Sequence, residues 1–197
     1  MWVLGGHVHA AIIPKNELIF MSEITTDAAM HTCLQLNLDN EAATARLAQQ
    51  LAQQVRAGDM IFLQGELGAG KTTFTRHFAS ALGVDGRIKS PTYTLVESYD
   101  LSAGAHGAMV LHHFDLYRLG DPREWFSAGF DEYLNDRAIA LIEWPSQAVG
   151  ALPAPTFSLT FEHADDLDDV DVESFDGARR VRVEGLLNRL SSLDVTD

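Results

Sequence analysis

Apolar residues recur along this chain with two different periods, and the changes of period mark its elements. Thr32 to Leu38 (TCLQLNL) alternates apolar and polar, as a half-buried strand does. From Glu41 to Arg56 the period lengthens: Ala43, Leu47, Leu51 and Val55 recur every four residues, predicting a helix capped by Asp39 or Asn40 and ended by Gly58. A strand over Asp59 to Gln64 comes next, then a helix reaching Leu82 and stopped by Gly83. Leu95 to Tyr99 and Met109 to Leu116 (MVLHHFDL) read as strands around a SAGAHG turn. Asp121-Pro122-Arg123-Glu124 opens a short helix with Pro122 in its first turn. Ala138 to Trp144 (AIALIEW) is almost continuously apolar, which predicts a strand buried on both faces and terminated by Pro145. Thr156 to Phe161 and Arg179 to Glu184 return to period two and look antiparallel. A short helix, about Leu186 to Leu193, closes the pattern.

The junction between the second strand and the second helix carries the chemistry. Gly65 through Thr72 reads GELGAGKT, the pattern GxxxxGK[ST], and it has an apolar strand before it and a helix after it. Gly65, Gly68 and Gly70 permit backbone conformations in which successive N–H groups converge on phosphate oxygens, with Glu66, Leu67 and Ala69 between them. Lys71 supplies a point charge to the outer phosphates, the Thr72 hydroxyl can ligate Mg²⁺, and Thr73 continues the helix whose N-terminus adds partial positive charge. A ligand-free glycine-rich turn is the competing reading, and the matching flanks on both sides disfavour it. The expected fold is therefore α/β: a three-layer, P-loop NTPase-like arrangement with a mixed central sheet, parallel in its core and antiparallel in its C-terminal strands. Residues 1–30 are expected to form a poorly ordered extension, with Met21 and Met30 as alternative starts, and residues 31–197 a single domain.

Turnover needs acids as well as a loop. Ligands in open α/β sheets sit outside the C-terminal ends of the strands, so acids at those ends are the candidates. Asp115 closes Val110 to Phe114 and Glu143 closes Ala138 to Ile142. If their strands flank the loop's strand, both carboxylates face Thr72 and a metal; otherwise each begins an exposed turn. His112 and His113 give the turn alternative some weight for Asp115. For Glu143 it is weaker, because a carboxylate after five apolar residues is costly without a partner. In the loop Ser90-Pro91-Thr92-Tyr93-Thr94, Thr92 or Thr94 can reach Mg²⁺ or phosphate, and a well-capped turn explains the same residues. Trp144 would lie near the nucleotide.

The bulk numbers narrow the partners. A net charge of −14 opposes direct docking on nucleic acid, so any role near RNA passes through another protein. The single cysteine, Cys33, excludes an internal disulfide and reads as a small core residue. No apolar run is long enough to cross a bilayer, and the first residues lack the basic start of a signal peptide, so no membrane role and a cytoplasmic location are expected. His7 and His9 have no clustered third ligand, and the acidic stretch from Asp165 to Glu173 lacks the spacing of a calcium loop.

GELGAGKTTF, KSPTYTLVE, HFDLYRL and ALIEWP, in that order, resemble the bacterial TsaE (YjeE) family of small P-loop ATPases. The resemblance spans roughly Thr32 to Pro153. It implies a part in making threonylcarbamoyladenosine at position 37 of tRNA, with ATP or ADP and Mg²⁺ bound, TsaD and TsaB as partners and tRNA met only indirectly. It implies Lys71 and Thr72 at phosphate and Mg²⁺, Thr92 in a switch-like loop, Asp115 and Glu143 as acids at the metal, and Trp144 beside the nucleotide. The extension before His31 and the acidic insert after Phe161 depart from the family pattern without touching these motifs. The rival reading is a small-molecule P-loop kinase, although Arg118, Arg123 and Arg137 are too scattered for an arginine-rich lid. A GTP-gated switch would need a guanine-reading NKxD element, and the chain has none.

Overall fold

The computed structural model describes residues 31–91, 93–101, 110–163, 178–190 and 193. The N-terminal extension, the SAGAHG turn, the acidic stretch and Thr92 lie outside the described residues. Seven strands are seen: β1 (His31–Leu38), β2 (Met60–Gln64), β3 (Val96–Asp100), β4 (Val110–Asp115), β5 (Ala138–Glu143), β6 (Phe157–His163) and β7 (Arg179–Leu186). The helices are α1 (Glu41–Gln54), α2 (Lys71–Ala81), α3 (Glu124–Ser127) and α4 (Leu187–Leu190), with 3₁₀ turns at Phe130–Tyr133 and Pro145–Ala148. Asn40 is the residue that caps α1, its side chain accepting from the Ala43 N–H at 2.9 Å. The helix ends at Gln54, two residues short of the expected Arg56.

The strands form one sheet in the order β1-β7-β6-β2-β5-β4-β3. β6, β2, β5 and β4 run parallel. β1 and β7 close one edge antiparallel, and β3 closes the other. β6 therefore has two characters: it is antiparallel to β7, as its alternation suggested, and parallel to β2. Period two reports which face a side chain takes and is silent on strand direction.

The pleat divides the core into two layers, as a three-layer fold requires. Ile61, Leu63, Leu111, Ile139, Leu141 and Leu159 pack with Leu47 and Leu51 of α1 and Phe74 and Phe78 of α2. On the other face Met60, Phe114, Ala140 and Ile142 meet Trp125, Phe130, Leu119 and Ala148. Fully buried Trp125 sits 5.1 Å from the Phe114 ring and 5.5 Å from Phe130. At the start of β2, Arg189 of α4 clamps buried Asp59: Nη1 donates to Oδ1 at 3.0 Å and Nη2 to Oδ2, while Nε donates to the Gln54 carbonyl at 3.1 Å. The C-terminal ends of the four parallel strands share one edge, and the loop after β2 opens there.

Candidate functional site

Gly65 leaves β2 with φ +131°, and a Cβ on it would meet the Phe161 carbonyl oxygen at 2.3 Å, so only glycine passes this point. Gly68 (φ +82°) and Gly70 (φ +105°) complete the turn, with Ala69 buried and Leu67 exposed at the tip. Gly70 stands at the N-cap of α2 and no side chain caps that helix. Its first N–H groups are thus left for the loop to present.

Lys71 is 4 % exposed, and its Nζ donates to the Gly65 carbonyl at 2.7 Å and the Glu66 carbonyl at 2.8 Å. The ammonium also lies 4.1 Å from the centroid of the Trp144 ring. Burial pushes the Lys71 pKa below the ordinary lysine value, and the nearby charges of Glu143, Asp115 and Glu66 pull it partly back. The ammonium is thus a buried cation whose charge is partly offset by the carboxylates around it.

The two strand-end acids come together. Asp115 and Glu143 are directly paired in the parallel register of β4 and β5. Glu143, 2 % exposed, accepts from the Thr72 hydroxyl at 3.2 Å on each oxygen, so helix and strand meet at the carboxylate. Asp115 accepts from the Ser90 hydroxyl on Oδ2 and from the Tyr117 N–H on Oδ1 at 3.2 Å. The loop after α2 thus reaches the corner through Ser90. Thr94 turns to Glu97 instead, at 3.3 Å, and Thr73 is half-buried on α2. Trp144 adopts a left-handed conformation, φ 58° and ψ 48°, unusual for a bulky residue. Its ring centroid is 5.0 Å from that of Tyr117.

Two residues at the corner were given no role there from sequence. Fully buried His113 places Nε2 2.9 Å from Glu143 Oε1. A carboxylate can only accept, so the ring donates from Nε2, while the buried Nδ1 has no partner among the described residues. Thr75 donates to the Lys71 carbonyl at 3.0 Å and lies 3.3 Å from the same Glu143 oxygen. The position of His113 two residues before Asp115 on a strand, hence on the same face, was the available signal. Among the described residues, no cluster of three or more His, Cys, Asp or Glu could hold a metal by itself.

The chain has recognisable relatives. A family model described as "Threonylcarbamoyl adenosine biosynthesis protein TsaE" matches residues 38–171. The tRNA threonylcarbamoyladenosine biosynthesis protein TsaE of Haemophilus influenzae is 43% identical over 113 residues, covering 57% of this chain and 68% of that protein. The protein of the same name from Streptomyces coelicolor is 37% identical over 151 residues, covering 76% of this chain and 95% of its own. The crystal structure of Bacillus subtilis YdiB superposes with a TM-score of 0.62 at 28% identity, over 83% of this chain and 93% of that one.

Proposed function

The chain belongs to the TsaE family of threonylcarbamoyl adenosine biosynthesis proteins, and from that premise we propose that it is a Mg²⁺-dependent ATPase acting on the TsaD–TsaB complex. The observation behind this reading is the convergence of Lys71, Thr72, Asp115 and Glu143 on one corner at the C-terminal edge of the parallel strands. The donor set suits Mg²⁺, which in nucleotide sites takes one or two carboxylates and fills its other positions with phosphate and water. Bound MgATP supplies the transferable phosphoryl group and the divalent charge that spreads over it.

The chain's own residues do the rest. The Gly65 to Gly70 backbone and the uncapped start of α2 cradle the phosphates. The Lys71 ammonium, now on two loop carbonyls, exchanges those partners for phosphate oxygens. Thr72, Asp115 and Glu143 offer oxygen to the metal. His113 and Thr75 hold one oxygen of Glu143, which fixes the direction of the other. Trp144 covers the lysine and keeps water from that side.

The partner half of the proposal rests on family and charge. At −14 the chain is unsuited to neutralising RNA phosphates itself, so it acts on the modifying enzyme and meets tRNA only through it. Its ATPase should be weak alone, because a cation supplied in trans can raise P-loop hydrolysis by roughly 10³ to 10⁵. The test is ATP hydrolysis with and without TsaD–TsaB, in the parent and in Glu143→Ala. The parent should be stimulated and the variant inactive yet folded. A rate indifferent to the partners removes the partner half; a parental rate in Glu143→Ala removes the catalytic corner.

A further inference from the structure

Beside the nucleotide corner lies a second concave feature, a cleft of about 500 Å³. One wall is the face of α2 bearing Thr72, Arg76 and Ser80, four residues apart and therefore stacked along the helix. The other wall is the segment after α2, where Arg87, Lys89 and Ser90 line the cleft. Ile88 between them is buried in the core under α1 and α2, which anchors the segment while both of its neighbours stay exposed.

The charge of this cleft runs against that of the chain. Acidic residues outnumber basic ones 28 to 14, yet three of the basic residues converge here and no carboxylate lines the walls. Among the described residues Arg76, Arg87 and Lys89 make no ion pair, although Arg123, Arg182 and Arg189 do. Three like charges around one cavity repel each other, and a cleft lined by one sign focuses its field on whatever enters. The cavity also joins the corner directly. Thr72 bonds Glu143 and Ser90 bonds Asp115, so an occupant touching this wall borders both acids.

We propose that this cleft is an anion site for an acidic peptide segment carried by a protein partner. Three cations are too few for a phosphate backbone, whose binders gain affinity by neutralising several phosphates, and a polyanion must also approach a surface of net charge −14. A short run of Asp or Glu on a partner faces less of that repulsion, and its carboxylates match the guanidinium fork. The site stands independently of the ATPase reading; its coupling to nucleotide, through Thr72 and Ser90, rests on that reading.

The test uses the full chain and a fluorescein-labelled hexaglutamate peptide, with hexaglutamine and a short single-stranded RNA of similar length as comparisons. The parent should bind hexaglutamate and ignore hexaglutamine. Two variants disable opposite walls: Arg76→Gln, and Arg87→Gln with Lys89→Gln. Each should weaken hexaglutamate by about tenfold or more, the worth of one charge-assisted hydrogen bond, and leave MgADP binding intact. All three side chains are exposed, so both variants should unfold at the parental temperature. The site is overturned if the parent does not bind hexaglutamate, if either wall's variant binds it as well as the parent, or if RNA binds more tightly. It is also overturned if the variants lose MgADP as Lys71→Ala should, because the cleft then belongs to the nucleotide site. Hexaglutamate affinity unchanged by nucleotide overturns the coupling alone. A parent that binds no nucleotide sinks the ATPase reading and leaves the peptide result standing.

Discussion

Replacing Lys71 by alanine should separate nucleotide binding from folding. Its ammonium is buried, with hydrogen bonds to two carbonyls that are themselves part of the loop, and burial already depresses its pKa. Removing it thus takes away a costly buried cation, and the ligand-free protein should lose little stability. Binding is different. A ligand at about 100 times its dissociation constant stabilises a fold by roughly 2.7 kcal/mol. Loss of a hydrogen bond to a charged group costs about 1.5–3 kcal/mol. At the same MgATP concentration the remaining stabilisation would be roughly 0.3–1.3 kcal/mol. For a domain of this size each kcal/mol moves the melting temperature by about 2–4 °C. Differential scanning fluorimetry should therefore show a MgATP-induced shift in Lys71→Ala between about a tenth and a half of the parental one. An undiminished shift would falsify the assignment of Lys71 to phosphate.

Three further outcomes follow from particular contacts. His113→Phe should fold but lose hydrolysis and weaken Mg²⁺-dependent nucleotide binding, while His113→Gln, which keeps a donor, restores part of both; equal behaviour of the two variants in a paired titration would reduce His113 to packing. Arg189→Ala leaves the buried Asp59 carboxylate without its cation and should destabilise by about 3–5 kcal/mol in urea unfolding; a loss below about 1 kcal/mol, as at an exposed pair, contradicts this. Burial lowers the His112 pKa, so the unfolded chain takes up the proton first. Its contribution to stability is present above the unfolded value near 6.5 and is lost as pH falls from there toward the depressed folded value. Urea midpoints at stepped pH should fall less steeply for His112→Gln than for the parent, and parallel curves would refute the link.

What could be read from sequence was whatever short spacing encodes. The loop from Gly65 to Thr72 declares itself through eight consecutive residues and two flanks, and Asp115 and Glu143 stand out as acids ending apolar runs. Their meeting was expected from both strands flanking β2, but only β5 does so; the other neighbour of β2 is β6. Asp115 reaches the corner because β4 pairs with the far side of β5, opposite Glu143. Contacts made across the sheet were beyond reach. His113 bonds a residue 30 positions away and Thr75 one 68 positions away, and neither separation leaves a local pattern. The placement of β1 against β7 was equally hidden, because alternation marks a buried face without identifying the neighbouring strand. In the loop beyond α2 four hydroxyls stand within five residues, and composition alone could not show that Ser90 bonds Asp115.

The sheet places two tryptophans in unlike surroundings, and this gives the molecule a pair of intrinsic optical reporters. Trp125 is sealed behind the sheet among Phe114 and Phe130, with no exposed surface. Trp144 lies at the corner proposed for nucleotide, half-buried, its ring within reach of the Lys71 ammonium, whose bonding would change on phosphate binding. The emission of the first should be blue, indifferent to acrylamide and sensitive only to global unfolding. The emission of the second should be quenchable and should follow ligand occupancy. Replacing either by phenylalanine isolates the other, apart from Trp2, which lies outside the described residues. Ligation and denaturation could then be followed at separate wavelengths in one cuvette, without attaching a dye.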